Sequence, residues 1–291
     1  MTEKFICFDI GGTKIFKAVI EVNFAQRSYG FLDSETINNP VSKEKIEEIV
    51  LEYCEKNKEE FSTNKVAISS GSIVDYQNIS IFRASSFYGE EEFSFSFLKN
   101  AGYQVVLEND GESFALGNFY FGGNEDVQGL LTLTLGSGIG GGFINSKGQV
   151  LRGKDNSATE FSHMEMMIDG KWEKWWRISA GWGICNLYKN KTGKDKKARD
   201  IFASIDEDES AKEAIKKAQE YLGHGVANLV EVFNPEKIIF GGSVSSQKFY
   251  LEGAMKIVKE NVFNEKAFPE WKISDLKAEM NVLGVCALYY I

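Results

Sequence analysis

The apolar residues of this chain fall into short runs and into longer stretches with helical spacing. The short runs predict strands at residues 4–9, 14–22, 27–37, 65–69, 103–108, 129–135, 237–240 and 271–276. The helical spacing predicts helices at residues 43–60, 93–100, 111–121, 171–190, 206–233 and 281–291. This alternation indicates an α/β fold class with mixed sheets in two similar halves, opening with an antiparallel meander.

A glycine-rich turn follows a predicted strand at two places. The first turn contains Gly11, Gly12, Thr13 and Lys14, and the second contains Gly136, Ser137 and Gly138. In each case another strand follows, so one strand–turn–strand unit occurs in both halves of the chain. Glycine leaves backbone N–H groups open, which makes each turn a candidate phosphate site. The alternative is an ordinary hairpin, but two such turns favour one nucleotide held between two lobes.

Polar residues stand at the ends of three predicted strands: Asp9, Ser70-Gly71 and Asn109-Asp110. Ligands gather beyond the carboxyl ends of strands in open α/β sheets, so we expect these residues to converge. Asp9 is a candidate to hold Mg²⁺ through water. Asp110 is a candidate catalytic base for a hydroxyl that attacks phosphorus. The alternatives are a helix N-cap for Asp110 and a turn residue for Asn109.

Glu160 and His163 form a second candidate constellation. They share a face if their segment is helical, and a carboxylate beside an imidazole suits the vicinal hydroxyls of a polyhydroxylated ligand. No thiolate or further histidine lies nearby in the sequence to complete a metal site. The alternative is a structural histidine.

Two further stretches leave alternatives open. Four tryptophans between residues 172 and 182 surround Glu173; they could stack on a sugar ring, and we favour a core or subunit-interface role. Gly241 and Gly242 follow a predicted strand, where open backbone would admit an adenine ring. The alternative there is a plain strand-to-helix turn.

Composition narrows the function classes. The net charge of −9 disfavours nucleic-acid binding. No apolar run approaches the length of a membrane span, and the N-terminus does not resemble a signal peptide. The four cysteines lie far apart without CxxC spacing, so we expect a reduced, cytoplasmic protein without a disulfide framework.

Taken together, these motifs resemble the ROK family of sugar kinases and repressors, within the actin-like, ribonuclease-H-like ATPase superfamily. The matching segments are residues 9–14, 108–117, 135–142, 160–164 and 234–242, in the family's order and over essentially the whole chain. The resemblance implies a two-lobed actin-like ATPase fold with a mixed sheet in each lobe. The expected lobes are 1–117, completed by helix 281–291, and 118–280.

The resemblance also implies roles for the candidate residues. Mg²⁺-ATP would contact both glycine turns, with its adenine side at Gly241 and Gly242. Asp110 would deprotonate a sugar hydroxyl, most often the 6-hydroxyl, for attack on the γ-phosphorus. The implied sugar contacts are Gly71, Ser72, Ser86, Asn109, Asp110, Glu160, His163 and Glu173.

One departure from the family pattern affects the metal content. The family usually carries a CxCGxxGCxE zinc loop after the histidine, but the corresponding stretch, residues 166–178, has no cysteine. We therefore expect no zinc. His163 would then contact sugar directly, and Glu173 becomes the candidate for the family's final sugar-binding glutamate.

The resemblance leaves the substrate and the functional class to be chosen. The family's repressors carry a helix-turn-helix domain before the first phosphate motif, and the early Asp9 and the acidic charge favour a kinase. A catalytically silent sugar-binding regulator is the alternative from another class. Small residues near Gly71, Ser72 and Ser86 leave room for an N-acetyl group. A ROK chain of this length without the zinc loop also resembles bacterial N-acetylmannosamine kinases, which act in sialic-acid breakdown. N-acetylmannosamine is therefore preferred over glucose, and the alternatives are glucose, mannose and N-acetylglucosamine. A homodimer is expected because the family commonly dimerises.

Overall fold

A computed structural model of the chain describes residues 2–82, 92–275 and 278–291; Ser86 and its neighbour Ser85, both predicted near the sugar, lie outside them. The strands are β1 Thr2–Ile10, β2 Lys14–Asn23, β3 Ser28–Asn38, β4 Lys65–Ser70, β5 Ile73–Asp75, β6 Ser80–Phe82, β7 Glu92–Ser94, β8 Gln104–Asn109, β9 Leu130–Leu135, β10 Ile139–Ile144, β11 Glu165–Ile168, β12 Lys171–Lys174, β13 Lys237–Gly241 and β14 Glu270–Ile273. The helices are α1 Lys43–Phe61, α2 Ser96–Asn100, α3 Asp110–Phe121, α4 Ala180–Thr192, α5 Ala198–Ala203, α6 Glu209–Phe233, α7 Lys248–Asn261 and α8 Ala278–Cys286. Short 3-10 helices span Phe161–His163, Trp175–Arg177, Glu265–Ala267 and Ala287–Tyr289.

The chain folds into two compact units. The first comprises Met1–Glu125, Arg152–Ala158 and Leu276–Ile291, and the second comprises Asp126–Leu151 and Thr159–Asp275. Helix α3 lies wholly within the first unit and runs across residue 117, where the sequence predicts a lobe boundary. The functional lobes stay a prediction.

The first unit is built on a five-stranded sheet with the order β3-β2-β1-β4-β8. Strands β1, β2 and β3 are antiparallel neighbours, which confirms the predicted meander. Strands β4 and β8 then add in parallel, so β1, β4 and β8 all run in the same direction. Strands β5, β6 and β7 form a separate small antiparallel sheet. This arrangement brings three strand carboxyl ends to one edge.

Successive side chains of β1 point to opposite faces of the five-stranded sheet, so its buried residues show what covers each face. Ile6 belongs to an apolar cluster that includes Val50 of α1. Phe5, on the other face, packs in a cluster that includes Val282 of α8. The sheet is therefore a middle layer, and its strand ends are held on both sides.

The second unit contains a four-stranded sheet with the order β10-β9-β13-β14. Strands β9 and β10 form an antiparallel hairpin, and β13 pairs with β9 in parallel. Strand β1 of the first unit likewise pairs antiparallel with the next strand and parallel with a later one. The predicted α/β class with mixed sheets and a repeated strand–turn–strand unit is confirmed.

Two predicted helices are wrong in their first part. Residues 93–100 are helical only over Ser96–Asn100, because Glu92–Ser94 pairs with β6 and buries Phe93. Alternation of apolar and polar residues at Phe93 and its neighbours has the period of a strand.

No helix in the described part of the chain is both long and apolar enough to cross a membrane.

The predicted helix over 171–190 is the second correction. Residues 171–174 form β12, which pairs with β11, and the α-helix begins only at Ala180. Asp169 and Gly170 join the two strands, and both have a positive φ, of 49° and 78°. An Asp-Gly pair with this backbone favours a two-residue hairpin, a signal that the tryptophan pattern obscured.

Candidate active site

Strand register brings the predicted residues of the first unit to one edge of its sheet. Ile10 of β1 pairs with Ser70 of β4, and Ser70 pairs with Asn109 of β8. Asp9 therefore lies one residue before this common end, and Asp110 one residue after it. The predicted convergence of these strand ends is confirmed for the first unit.

Asp9 is a half-buried carboxylate with two side-chain donors. Ser69 donates a hydrogen bond to its Oδ1 at 2.9 Å, and Nδ2 of Asn281 donates to the same atom at 3.1 Å. Burial raises the pKa of Asp9 to about 6; the Asn281 hydrogen bond opposes the rise, the nearby charge of Asp110 adds to it, and Ser69 opposes it. Two neighbouring carboxylates in a partly desolvated site favour a cation between or beside them.

Asn109, and not Asp110, is the N-cap of helix α3. Its Oδ1 accepts hydrogen bonds from the backbone N–H groups of Gly111 at 2.8 Å and Glu112 at 3.3 Å. Asp110 occupies the first helical position with its surface open to solvent, and its Oδ1 accepts from Gly111 at 2.8 Å. Although part of its surface meets solvent, the carboxyl of Asp110 is surrounded by many protein atoms, and this desolvation raises its pKa. The hydrogen bond from the Gly111 N–H acts in the opposite direction and lowers the pKa. The capping alternative thus belongs to the neighbouring residue, and Asp110 is left available for chemistry.

The first glycine turn is closed by its own backbone and by Asn39. The N–H of Gly11 donates to the carbonyl of Lys14 at 2.9 Å. Nδ2 of Asn39 donates to the carbonyl of Gly11 at 2.7 Å, and its N–H donates to the carbonyl of Thr13 at 2.9 Å. Gly11 and Gly12 do not have a positive φ. A left-handed conformation is therefore not the reason for glycine at these two positions, and a Cβ atom on Gly11 would lie 3.4 Å from the carbonyl oxygen of Lys14.

Ser72 carries an unusual backbone. Its φ of 114° lies in a region that favours glycine, and its carbonyl accepts a hydrogen bond from Nδ2 of Asn109 at 2.9 Å. Such strain persists where surrounding contacts hold it and is found most often at functional sites. Gly71, immediately before it, is buried. The two predicted sugar contacts at 71 and 72 are therefore joined to the end of β8.

In the second unit, the turn at Gly136 and Ser137 is joined to the start of helix α4. The carbonyl of Gly136 accepts from the N–H of Gly181 at 2.9 Å, and the carbonyl of Ser137 accepts from the N–H of Trp182 at 2.8 Å. A side chain at Gly138 would lie 3.7 Å from the Trp182 ring. The turn is thus a fixed structure, with Ser137 exposed at its tip.

Gly242 is held against the strand that leads into this turn. Its φ is 86°, and a Cβ atom would lie 2.5 Å from the carbonyl oxygen of Leu135. The N–H of Val244 donates to that carbonyl at 2.8 Å. Close packing within the protein therefore explains the glycine at 242, as expected for the alternative of a plain strand-to-helix turn. The same packing brings Gly241 and Gly242 beside the second glycine turn.

Glu160 and His163 lie at the two ends of one turn of 3-10 helix. The N–H of His163 donates to the carbonyl of Glu160 at 3.0 Å. Residues three apart are eclipsed in a 3-10 helix, and both side chains are exposed. The structure therefore brings this predicted pair onto one face.

Glu173 lies on β12, opposite Met166 of β11. It lines a cavity of about 430 Å³, together with Ile168, Asp169, Lys171, Arg177, Ile178, Asn186, Leu187, Asn190, Lys217 and Tyr221. Neither Glu160 nor His163 lines this cavity, so its geometry does not group Glu173 with that pair.

The tryptophans of this region divide between core and surface. Trp175 is fully buried and donates from Nε1 to the carbonyl of Tyr221 at 3.0 Å. Trp172 and Trp182 are 65% and 54% exposed, which leaves them accessible to a partner.

Across residues 2–82, 92–275 and 278–291, no group of three or more His, Cys, Asp or Glu side chains is arranged to hold a metal ion.

Three residues at the first-unit site were not predicted from the sequence: Asn39, Ser69 and Asn281. Asn39 follows β3 and precedes Pro40, which signals a turn but not its partner. Asn281 lies in the last helix, far along the chain from Asp9, and no local pattern could have joined them.

The fold is that of the actin-like ATPases to which ROK sugar kinases belong. A solved structure from Listeria monocytogenes, provisionally assigned as an N-acetylmannosamine kinase, superposes with a TM-score of 0.82 at 23% identity, covering 99% of both chains. The ROK family model matches residues 5–290, and the chain belongs to the ROK family.

Two sequence relatives carry sugar-kinase names. The chain is 25% identical to the N-acetyl-D-glucosamine kinase of Vibrio vulnificus over 285 residues, which cover 90% of this chain and 91% of that one. It is 28% identical to the glucokinase of Halalkalibacterium halodurans over 208 residues, which cover 62% of each chain. This second alignment therefore spans less than two thirds of the glucokinase.

Proposed function

We propose that this protein is an ATP-dependent sugar kinase that phosphorylates the 6-hydroxyl of a hexose or N-acylhexosamine. The observation that carries the proposal is the edge of the first sheet, where register joins Asp9, the loop at 71–72 and Asp110. Membership of the ROK family and the sugar-kinase names of the relatives support the same class.

Asp110 is the proposed catalytic base. Its carboxylate would accept the proton of the sugar hydroxyl while that oxygen forms its bond to the γ-phosphorus and the bond to the β-phosphate oxygen breaks. A raised pKa brings a carboxylate closer to the basicity that this transfer needs. The N-cap at Asn109 holds the base at the start of α3. Positioning is expected to supply much of the acceleration.

The residues at this edge fit a magnesium ion that arrives with ATP. Carboxylate oxygens are ligands that Mg²⁺ prefers, and a cation would offset the burial and the nearby Asp110 charge that raise the pKa of Asp9. We propose Asp9 as its protein contact, through water, and both glycine turns as phosphate contacts. The bound ion would neutralise charge on the transferred phosphoryl group.

N-acetylmannosamine is the finer proposal for the substrate. It is supported by the small residues at 71 and 72 and by the cysteine-free stretch at 166–178, which the hairpin β11–β12 occupies. Glucose and N-acetylglucosamine are the second candidates, because the relatives carry those names. The exposed Trp172 and Trp182 support a proposed homodimer interface.

Coupled ADP release with Mg²⁺-ATP across N-acetylmannosamine, N-acetylglucosamine, glucose and mannose tests the proposal. We expect turnover, with N-acetylmannosamine preferred. Turnover on glucose alone would keep the kinase and reject the substrate choice. ATP binding without turnover on all four sugars would favour the silent regulator.

Asp110→Asn tests the base. The amide keeps the shape and the hydrogen bond from Gly111, so sugar binding should persist while kcat falls about 100-fold or more. Asp195→Asn, at a side chain 83% exposed, is the matched control and should turn over normally. Near-normal kcat in Asp110→Asn would reject the assignment.

A further inference from the structure

Four polar side chains of the first unit have no role in the proposed mechanism and yet form one cluster: Tyr76, Glu108, Glu112 and Arg152. Glu108 is fully buried and Glu112 is 2% exposed, whereas the Arg152 side chain is 29% exposed. Burying charged groups costs free energy that their pairing only partly returns, so such a cluster is weak evidence of a stabilising role. The cluster lies beside Asn109 and Asp110, which indicates a role in positioning that segment.

Arg152 is the centre of the cluster. Its Nη2 donates to Oε2 of Glu108, and its Nε donates to the hydroxyl of Tyr76 at 2.7 Å. The guanidinium carbon also lies 5.0 Å from the centre of the Tyr76 ring. The Tyr76 hydroxyl in turn donates to Oε1 of Glu108 and lies 3.4 Å from Oε2 of Glu112. One planar guanidinium therefore holds two partners in a fixed geometry, whereas the donors of a lysine ammonium rotate on a flexible stem.

The cluster is connected directly to the proposed catalytic segment. Oε1 of Glu108 accepts the backbone N–H of Asn109 at 3.1 Å. Asn109 then caps α3, where Asp110 begins, and donates to the strained Ser72 at 2.9 Å. A continuous series of hydrogen bonds thus runs from Arg152 through Glu108 to both candidate sugar segments.

The charges of the cluster balance when one carboxyl is neutral. Burial, followed by the charge of Glu108, raises the pKa of Glu112 well above its usual range, while Arg152 opposes the rise. The two buried carboxyls are therefore held below their full charge, and Arg152 faces the negative charge that remains on the pair. Removing Arg152 would leave that buried charge unpaired, directly beside Asn109.

We infer that Arg152 is a positioning residue for the reaction: acting through Glu108, it orients Asn109 and Asp110. The segment Arg152–Ala158 has a second anchor, because Nδ2 of Asn156 donates to the carbonyl of Val74 at 3.0 Å. The inference rests on the proposed kinase function, so its test includes a measurement that does not require turnover.

Arg152→Met removes the guanidinium and keeps an apolar stem. We expect kcat to fall about tenfold or more and the sugar KM to rise about threefold or more, while the KM for ATP stays within about twofold. A variant that only folds less well would lose kcat in proportion to its folded fraction, with an unchanged sugar KM. That pattern would overturn the inference.

Two further variants keep the test informative. Arg199→Met removes an arginine whose side chain is 79% exposed, and its kinetics should match the wild type. Arg152→Lys keeps the charge and should restore folding if the methionine variant unfolds, but it should keep part of the sugar KM defect. Kinetics of Arg152→Lys identical to those of Arg199→Met would also overturn the inference.

Hydrogen exchange on peptides that cover residues 104–121 gives the activity-independent result. Backbone amides at 109–112 should exchange faster in Arg152→Met than in Arg199→Met, without a similar change in the second unit. Equal exchange would reject the positioning role even if the protein is a kinase. Faster exchange in a chain that phosphorylates none of the sugars would reject the proposed function alone.

Discussion

Asp9 is a carboxylate at the candidate site whose environment opposes its charged form. It lies at the end of a buried strand, near a second carboxylate, and hydrogen bonds from Ser69 and Asn281 only partly compensate. A folded-state pKa of about 6, above the ordinary 3.8, means that the folded protein binds this proton more tightly than the unfolded chain does. Its contribution to stability is therefore present below pH 3.8 and is lost as the pH rises through about 6.

Asp9→Asn should for this reason be more stable than the wild type at pH 7.5. The free energy of unfolding should increase by about 1–2 kcal/mol, less than the full shift implies because Asp9 is partly exposed. The advantage should shrink toward pH 4, and sugar phosphorylation should be lost at every pH. Urea unfolding at both pH values measures this, with Asp195→Asn as the control. A difference in unfolding free energy between Asp9→Asn and the wild type that does not change with pH would contradict the raised pKa of Asp9.

At the scale of elements, helices α3 and α8 pack with almost no space between their backbones. A Cβ atom on Gly117 would lie 2.1 Å from the carbonyl oxygen of Met280, and one on Gly284 would lie 1.8 Å from that of Ser113. Both obstacles are backbone atoms, which cannot turn aside as a side chain can. Helix α8 also carries Asn281, so this approach sets the position of a partner of Asp9.

Gly284→Ala should destabilise the protein by about 3 kcal/mol, because one helix must move to admit the methyl group. Gly30→Ala is the matched control, since no heavy atom lies within 4 Å of its Cβ position. Its effect should stay within about 0.5 kcal/mol. Chemical denaturation measures both variants. Equal stabilities would show that the two helices are not in close contact in solution.

At the scale of the whole molecule, the first unit is assembled from segments far apart in the chain. Helix α8 packs in an apolar cluster with Phe5 and Ile20 from the first two strands. Near its end, the Tyr289 hydroxyl donates to the carbonyl of Gln104 at 2.7 Å and accepts from the N–H of Val66 at 3.1 Å. The last residues of the chain therefore complete a core that begins with its first residues.

Removal of residues 278–291 should expose this apolar cluster and unfold the first unit. We expect binding of a hydrophobic dye and loss of a cooperative denaturation transition. Deletion of Ile291 alone, a residue 56% exposed, is the control and should leave the transition in place. A truncated chain that unfolds like the control would show that α8 is dispensable for the core.

The sequence by itself determined the α/β class, most strands and helices, the meander, and the two glycine turns. These depend on local spacing and on backbone properties of residues such as Gly102, whose φ of 84° ends α2. It also placed Asp9 and Asp110 at strand ends, since the strand that precedes each is apolar. The hairpin at Asp169-Gly170 was locally encoded too, but the surrounding aromatic residues suggested a helix.

Only the tertiary structure decided which side chains meet. Two contacts at the site depend on packing between distant segments: Asn281 beside Asp9, and Arg152 against Glu108. The same holds for the burial that raises the pKa of Glu112. These contacts join residues that are 44 and 272 positions apart, and hydrophobic periodicity carries no information about partners at that distance.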